Sequence, residues 1–241
     1  MFKFKGISSE DMQVVVEEEE HFIARAAQRY EITEIEGSDE AIFDELGYSY
    51  VERPIYVQCL NIEKMDDILA WLNGEGEFEY KGRKTIARFY QQLEPQRSAC
   101  IRVIDTQFIR DPFWNKAIDD YVVVINNVIN EGNYKSRPII RLEKESTASV
   151  DITVGNVRFK YNFPENETYV EIDCKKKEAV YEELNRNRQL EIGYEFPKLD
   201  IGNNSITLNS GDCTIKVKRK DRWLWLKFLM LMIEIFLQQE I

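Results

Sequence analysis

The sequence predicts an α+β domain followed by an all-β sandwich. In segment 53–82, an alternating strand is followed by a short amphipathic helix and a second strand. From about residue 137 onward, short alternating runs are separated by turn residues at intervals of about 8 to 12 positions, which is typical of a sandwich. A chain of 241 residues is long enough for two small domains. We therefore expect domains at 1–126 and 127–222, followed by an apolar extension at 223–241.

The helix of the first domain has a recognisable start and end. Asn61 is a residue type that caps helices, and the acidic residues after it suit the positive end of the helix dipole. The apolar positions recur at helical spacing: Ile62, Met65, Ile68, Leu69 and Leu72. We expect Asn73-Gly74 to end the helix and Glu75-Gly76 to turn the chain into a strand at 77–80. Because so short a helix is unstable alone in water, it must pack on a sheet.

Further strands and turns are predicted in both domains. In the first domain, we expect strands at 12–16, 25–36, 85–93 and 101–109, a solvated charge run at 17–20, and turns at 37–39 and Gly47. In the second domain, Gly155-Asn156 predicts a hairpin turn between strands 151–154 and 157–161. A second hairpin is expected to turn at 209–212. Only segment 182–188 suggests a helix in this half.

The excess of negative over positive charge lies in the first half of the chain. Residues 1–125 carry 14 Lys and Arg against 25 Asp and Glu, a net charge of −11, whereas the remaining residues carry 18 of each. This excess argues against binding of a phosphate backbone as the main task. It suits a surface that DNA passes without adhering, but on sequence alone solubility is the favoured explanation.

No catalytic or metal-binding pattern stands out. The four cysteines are far apart in apolar runs, so we expect buried free thiols and neither a metal nor a cofactor. His21 is the one histidine, and without a nucleophile elbow it is better explained as a solvated residue at a strand end. Asp66 and Asp67 are adjacent on the predicted helix and do not face each other. We therefore predict a binding or structural protein and no enzyme.

The C-terminal stretch 223–237 is almost wholly apolar, with Lys227 and Glu234 as its charged residues. It is shorter than the roughly 20 residues that a helix needs to cross a bilayer, so no membrane span is predicted. An all-round apolar segment must be buried, either on its own domain or on a neighbouring subunit. The N-terminal residues 1–6 have no apolar signal core, so secretion by that route is not expected.

Several motifs resemble the distal tail protein (Dit) family of long-tailed phages. The first domain carries Trp71-Leu72-Asn73-Gly74-Glu75-Gly76 and, further on, Asp111-Pro112-Phe113-Trp114. The second carries Asn130-Glu131-Gly132 and Phe196-Pro197-Lys198-Leu199. The order and spacing of the motifs support the resemblance over about residues 1–222. Glu40-Ala41 replaces a glycine that the family usually has, and the family normally ends near Arg222-Trp223-Leu224.

The resemblance implies an N-terminal ring-forming (belt) domain and a C-terminal galectin-like sandwich. Such proteins resemble hexameric hubs of the virion that join the tail tube to the baseplate. The implied partners are further copies of the chain, the tail tube protein, a tail-tip (tail-associated) protein and often a receptor-binding protein. DNA would pass through the ring without specific binding. The implied location is the phage tail tip, after assembly in the cytoplasm of the bacterial host.

The same resemblance implies no enzymatic activity, and it suggests subunit-contact positions among the family-motif residues. These are Trp71, Leu72, Gly74, Gly76, Pro112, Phe113 and Trp114.

A carbohydrate-binding module that acts in host-surface adsorption is the alternative function, because galectin-like sandwiches can bind sugars. The four tryptophans could stack on sugar rings, although the position of Trp71 on the apolar helix face favours a core or interface role. A glycosidase with a carboxylate pair that the fold brings together is a more distant third possibility.

Overall fold

The computed structural model describes residues 1–37, 39–98 and 101–225, which divide into two compact units. The first unit comprises Met1–Phe78, Thr85–Trp114 and the chain from Leu224, and the second comprises Glu79–Lys84 and Asn115–Trp223. Residues 115–126 therefore group with the second unit, and the predicted division at 126 stays a prediction. Cys100 and residues 226–241, most of the predicted apolar extension, lie outside the described residues.

The first unit is built on one large sheet and a separate two-stranded ribbon. Its strands are β1 (Phe2–Phe4), β2 (Ile7–Ser8), β3 (Val14–Val16), β4 (Gln28–Glu34), β5 (Ala41–Tyr48), β6 (Val51–Cys59), β7 (Gly74–Tyr80), β8 (Arg83–Phe89), β9 (Glu94–Ser98) and β10 (Ile101–Arg110). The main sheet has the order β2-β1-β7-β8-β10-β6-β3, with β9 also paired to β10. Strands β4 and β5 pair with each other as a distinct sheet. The predicted strands are confirmed, with ends that shift by a few residues.

The predicted helix is confirmed as a single turn of 3-10 helix (Ile62–Lys64) that continues into α1 (Met65–Trp71). The side chain of Asn61 accepts a hydrogen bond of 3.0 Å from the backbone N–H of Glu63, as a capping residue does. Ile68 and Trp71 are the buried residues of α1. Among the described residues of this unit, α1 is the one α-helix, so the unit is mainly β and the predicted α+β character depends on this element alone.

The turns predicted at Gly76 and Gly47 are wrong, because both glycines lie within strands. Gly76 lies within β7, where an added Cβ would come within 3.0 Å of the Phe4 ring, so this glycine permits close packing of β7 on β1. Gly47 lies within β5 at φ +90°, beside a register shift at Arg29 and Tyr30, and so forms part of a β-bulge. The charge run at 17–20 leads into a 3-10 helix, Glu19–Ile23, whose Phe22 is buried.

Aromatic rings fill the core of the first unit. Phe22 and Phe78 meet edge to face with ring centroids 4.9 Å apart, and Phe108 is 4.9 Å from each of them. Such edge-to-face contacts add about 0.5–1.5 kcal/mol per pair to the free energy of burial. The indole N–H of Trp71 donates a 2.8 Å hydrogen bond to the carbonyl of Phe4, which ties α1 to β1.

The second unit is an all-β sandwich, as predicted. Its strands are β11 (Trp114–Lys116), β12 (Val122–Val124), β13 (Asn127–Asn130), β14 (Ile139–Lys144), β15 (Ser149–Val154), β16 (Val157–Asn162), β17 (Tyr169–Asp173), β18 (Glu178–Tyr181), β19 (Leu184–Asn185), β20 (Leu190–Ile192), β21 (Gly202–Ser210), β22 (Cys213–Lys218) and β23 (Arg222–Trp223). One sheet has the order β12-β22-β14-β17-β18-β19 and the other β13-β21-β15-β16-β20. Buried residues of both sheets form one hydrophobic cluster.

The hairpin of β15 and β16 is confirmed, with Gly155 at φ +57° in its turn. The second predicted hairpin is wrong, because β21 pairs with β15 in one sheet and β22 pairs with β14 in the other. Its turn residues therefore carry the chain between sheets. The suggested helix at 182–188 is also wrong, since Glu182 and Glu183 have φ values of +46° and +71°, which a right-handed helix excludes.

The thiols that the structure describes are free. Cys59 and Cys174 are buried, as predicted, and Cys213 is half-buried. Burial raises the pKa of Cys59 to about 11 and that of Cys174 to about 12. Within the described part of the chain, no helix is both long and apolar enough to cross a membrane.

Replacement of Gly211 by alanine should destabilise the sandwich by at least about 2 kcal/mol. Gly211 has φ +91°, and an added Cβ would lie 2.4 Å from the backbone oxygen of Ser149. Urea unfolding of Gly211→Ala measures the change. Gly193→Ala is the matched control, because a Cβ there meets nothing within 4 Å. Equal urea midpoints of unfolding for the two variants would contradict the close approach of Gly211 to the Ser149 backbone.

The Asp151 carboxylate should make part of the sandwich stability dependent on acid pH. Hydrogen bonds from Arg158 and then Asn209 lower the pKa of Asp151 to about 2, from an ordinary 3.8. Because the folded-state pKa is lowered, the stabilisation is present above about pH 4 and is lost as the pH falls toward 2. The difference in unfolding free energy between the wild type and Asp151→Asn should therefore shrink over that window. For Asp120→Asn, at an exposed aspartate, no such narrowing is expected.

Candidate subunit interface

The β4–β5 ribbon, residues 28–48, exposes an apolar face. Ile32 lies opposite Phe43, and Tyr30 lies two residues before Ile32 on the same face. The exposed fractions are 57% for Tyr30, 49% for Ile32 and 63% for Phe43. The rings of Tyr30 and Phe43 have centroids 6.0 Å apart, so they form one continuous apolar strip. Glu45, opposite Tyr30, and Glu34, opposite Ala41, border this strip.

Such a ribbon has little stability of its own. Two strands without a third strand or a packed helix are marginal in water. Glu31 also lies directly opposite Asp44, and like charges at opposed positions destabilise a strand pair. Contiguous exposed apolar side chains on such an element mark a surface that another protein covers. The ribbon is therefore the strongest candidate interface in the first unit.

A small cluster fixes the base of the ribbon. Ala26, Val51 and Leu224 are its buried residues, and Tyr48 and Phe113 pack against them. The rings of Tyr48 and Phe113 meet edge to face at 5.6 Å. The Ser49 N–H also donates a 2.9 Å hydrogen bond to the Ala27 carbonyl. These contacts hold the two strands together where they leave the main body of the unit.

Arg110, which is fully buried, bonds to the segment that leads into the ribbon. Its guanidinium donates to the carbonyls of Phe22, at 2.9 Å, and Ala24. It also donates to the carbonyls of Asp111, at 2.7 Å, and Pro112, at 3.3 Å. The ring centroid of Trp114 is 5.0 Å from the guanidinium carbon. Burial lowers the pKa of Arg110 to about 9, so the side chain is charged at neutral pH.

The structure brings some of the family-motif residues to the ribbon and leaves others away from it. Phe113 packs in the cluster at the ribbon base. Trp114 is buried beside Phe78 in the aromatic core, with ring centroids 6.2 Å apart, and Pro112, like Phe113, is half-buried. The remaining motif residues lie on α1 and β7 and in the short connection between them: Trp71, Leu72, Gly74 and Gly76. Trp71 and Leu72 are buried in the unit itself. Subunit contact by the motif residues stays a prediction. The exposed ribbon side chains are a second set of candidate contact residues.

Sequence reasoning missed both the exposed strip and Arg110. The strip had a readable signal on β4, because Tyr30 and Ile32 alternate with Glu31 there, whereas residues 41–43 on β5 are a continuous apolar run. The sequence contains no signal for Arg110, since a single arginine at the end of a strand does not indicate that its side chain is buried. His21, the one histidine, has its Nδ1 2.6 Å from the Pro54 carbonyl oxygen and 3.2 Å from the Glu18 carboxylate.

Comparisons with known proteins agree on the kind of protein. Residues 131–223 match the family model described as the C-terminal domain of the siphovirus-type tail component. No curated protein matches the chain. The crystal structure of SPP1 Dit (gp 19.1), described as a paradigm of the hub adsorption apparatus of phages that infect Gram-positive bacteria, is 13% identical. The match covers 90% of this chain and 96% of that one, with a TM-score of 0.71.

Two structures of the phage P2 baseplate in its activated conformation are more distant. The structure with Ca is 8% identical with a TM-score of 0.38, and the structure with Sr is 9% identical with a TM-score of 0.36. Each match covers 88% of this chain and 92% of the other, and scores this low support no argument. The family match over 131–223 and the fold shared with SPP1 Dit agree with the resemblance to the Dit family that the sequence shows.

Proposed function

We propose that this chain forms a hexameric ring that acts as a hub of the phage tail and joins the tail tube to the baseplate. The observation that carries the proposal is the exposed apolar strip of the ribbon, which needs a covering partner. A ring supplies that partner from the next copy of the same chain, by a head-to-tail contact that closes on itself. The fold shared with SPP1 Dit supports the same reading.

The charge of the chain fits a central DNA channel. The excess of acidic residues lies in 1–125, which includes the ribbon with Glu31, Glu34, Asp44 and Glu45. An acidic wall repels the phosphate backbone, so DNA would pass through without being held. The remaining partners on this proposal are the tail tube protein, a tail-tip protein and a receptor-binding protein, at the tip of the virion. No catalytic step is part of the proposal.

The carbohydrate-binding alternative has weaker support. On the outer face of the sandwich, the guanidinium of Arg141 lies 3.9 Å from the ring centroid of Tyr169, and the ammonium of Lys218 lies 4.4 Å from that of Tyr121. Cations therefore cover aromatic faces on which a sugar would otherwise stack. Of the tryptophans, Trp223 is buried with Arg83 at 3.5 Å from its ring, and Trp225 is 38% exposed.

Replacement of Phe43 by serine should weaken ring formation and leave the fold intact. Loss of a buried phenylalanine at each contact should cost about 1.5–3 kcal/mol, which raises each dissociation constant by at least roughly tenfold. Light scattering over a concentration series, with tail partner proteins present, gives the assembly mass. The matched control is Leu60→Ser, since Leu60 is 53% exposed but lies outside the ribbon.

The wild type should reach the mass of six chains, and Leu60→Ser should behave in the same way. A wild type that stays monomeric at high concentration with its partners would overturn the ring. An unchanged dissociation constant in Phe43→Ser would instead remove the ribbon strip from the interface.

A further inference from the structure

We propose that Arg110 is a positioning residue that sets the direction of the β4–β5 ribbon and thereby controls the subunit contact. This inference rests on the proposed ring for its consequence, but the positioning itself is a property of the single chain. Arg110 acts through its hydrogen bonds to the backbone that precedes β4.

The first step of the argument is the position of the bonded carbonyls. Phe22 is anchored by its ring in the aromatic core, and β4 starts at Gln28. The Phe22 carbonyl thus lies near the end of the 3-10 helix, and the Ala24 carbonyl lies at the start of the short segment that leads from this helix to the ribbon. On the other side, the carbonyls of Asp111 and Pro112 belong to the end of β10 and the family motif. One guanidinium therefore joins two backbone segments whose relative placement directs the ribbon.

The second step is energetic. A buried guanidinium is costly unless it is paired, and an apolar side chain would fill the same space at lower cost. The Asp111 carboxylate accepts a 2.7 Å hydrogen bond from Arg88, while Arg110 donates to the backbone carbonyl of Asp111. The charge of Arg110 is thus balanced mainly by backbone dipoles. In return for this energetic cost, the arrangement fixes the two backbone segments relative to each other.

The third step is that only arginine has the required shape. Its planar group presents five N–H donors in a fixed fork, which can reach carbonyls on both segments together. A lysine retains the charge, but its donors radiate from one nitrogen atom. Arg110→Lys should therefore keep the aliphatic packing and lose the link. In a closed ring every copy must present its ribbon at the same angle, so a variable angle weakens closure.

Tryptic cleavage of the monomer tests the positioning directly. Arg25 and Arg29 flank the start of β4, and Arg88 on β8 reports on the main sheet. In Arg110→Lys, cleavage after Arg25 and Arg29 should be at least tenfold faster than in the wild type, with cleavage after Arg88 unchanged. Arg102→Lys is the matched control, because Arg102 is on the same strand and donates a 3.5 Å hydrogen bond to the carbonyl of its neighbour Ile101.

Ring dissociation, measured by light scattering well below the unfolding temperature, provides the second readout. Arg110→Lys should raise the dissociation constant at least tenfold, whereas Arg102→Lys should not. Wild-type cleavage rates in Arg110→Lys, an equal acceleration at Arg88, or failure of this variant to fold would each overturn the proposal, since Arg110 would then serve only general stability. If the wild type forms no ring, the proposed function fails, while the cleavage ratios still decide whether Arg110 positions the ribbon.

Discussion

The first unit depends on how it satisfies the buried backbone between its core and its ribbon. Phe22 lies near the end of the 3-10 helix Glu19–Ile23 and Ala24 directly follows that helix, whereas β4 begins only at Gln28. Buried carbonyls without donors are costly, and nearly all of them are satisfied in folded proteins. Arg110 supplies the donors at two of them. Without such a group, the exit of the ribbon from the core would have no fixed path.

The two units differ in how the charged and apolar side chains on their surfaces are paired. On the outer face of the sandwich, charges are paired along and across strands: Arg141 bonds to Glu143 on its own strand and to Glu171 on β17, and Glu143 also bonds to Lys216 on β22 at 2.7 Å. The ribbon of the first unit instead places like charges opposite each other and leaves aromatic residues in contact with water. The charged groups of one surface are paired within the chain, whereas the ribbon would gain burial of its apolar strip only in the proposed subunit contact.

Local signals in the sequence predicted local structure well. The cap at Asn61 and the glycine turn at Gly155 are decided by residues within a few positions of each other, and both were predicted. The connection at Gly211 looks like a hairpin turn in sequence, but its flanking strands enter different sheets, and sheet membership is decided by distant partners. The buried position of Arg110 is likewise set by contacts with residues more than 80 positions away. Such long-range pairing leaves no periodic pattern in the sequence.

The opposed carboxylates of Glu31 and Asp44 have a consequence for ionic conditions. Most ion pairs weaken as salt is added, but here the facing groups repel each other, and dissolved ions shield that repulsion over about 8 Å at physiological ionic strength. Added electrolyte should thus tighten the pairing of the two strands. In the proposed ring, the contact through this ribbon would then form more readily in concentrated than in dilute salt.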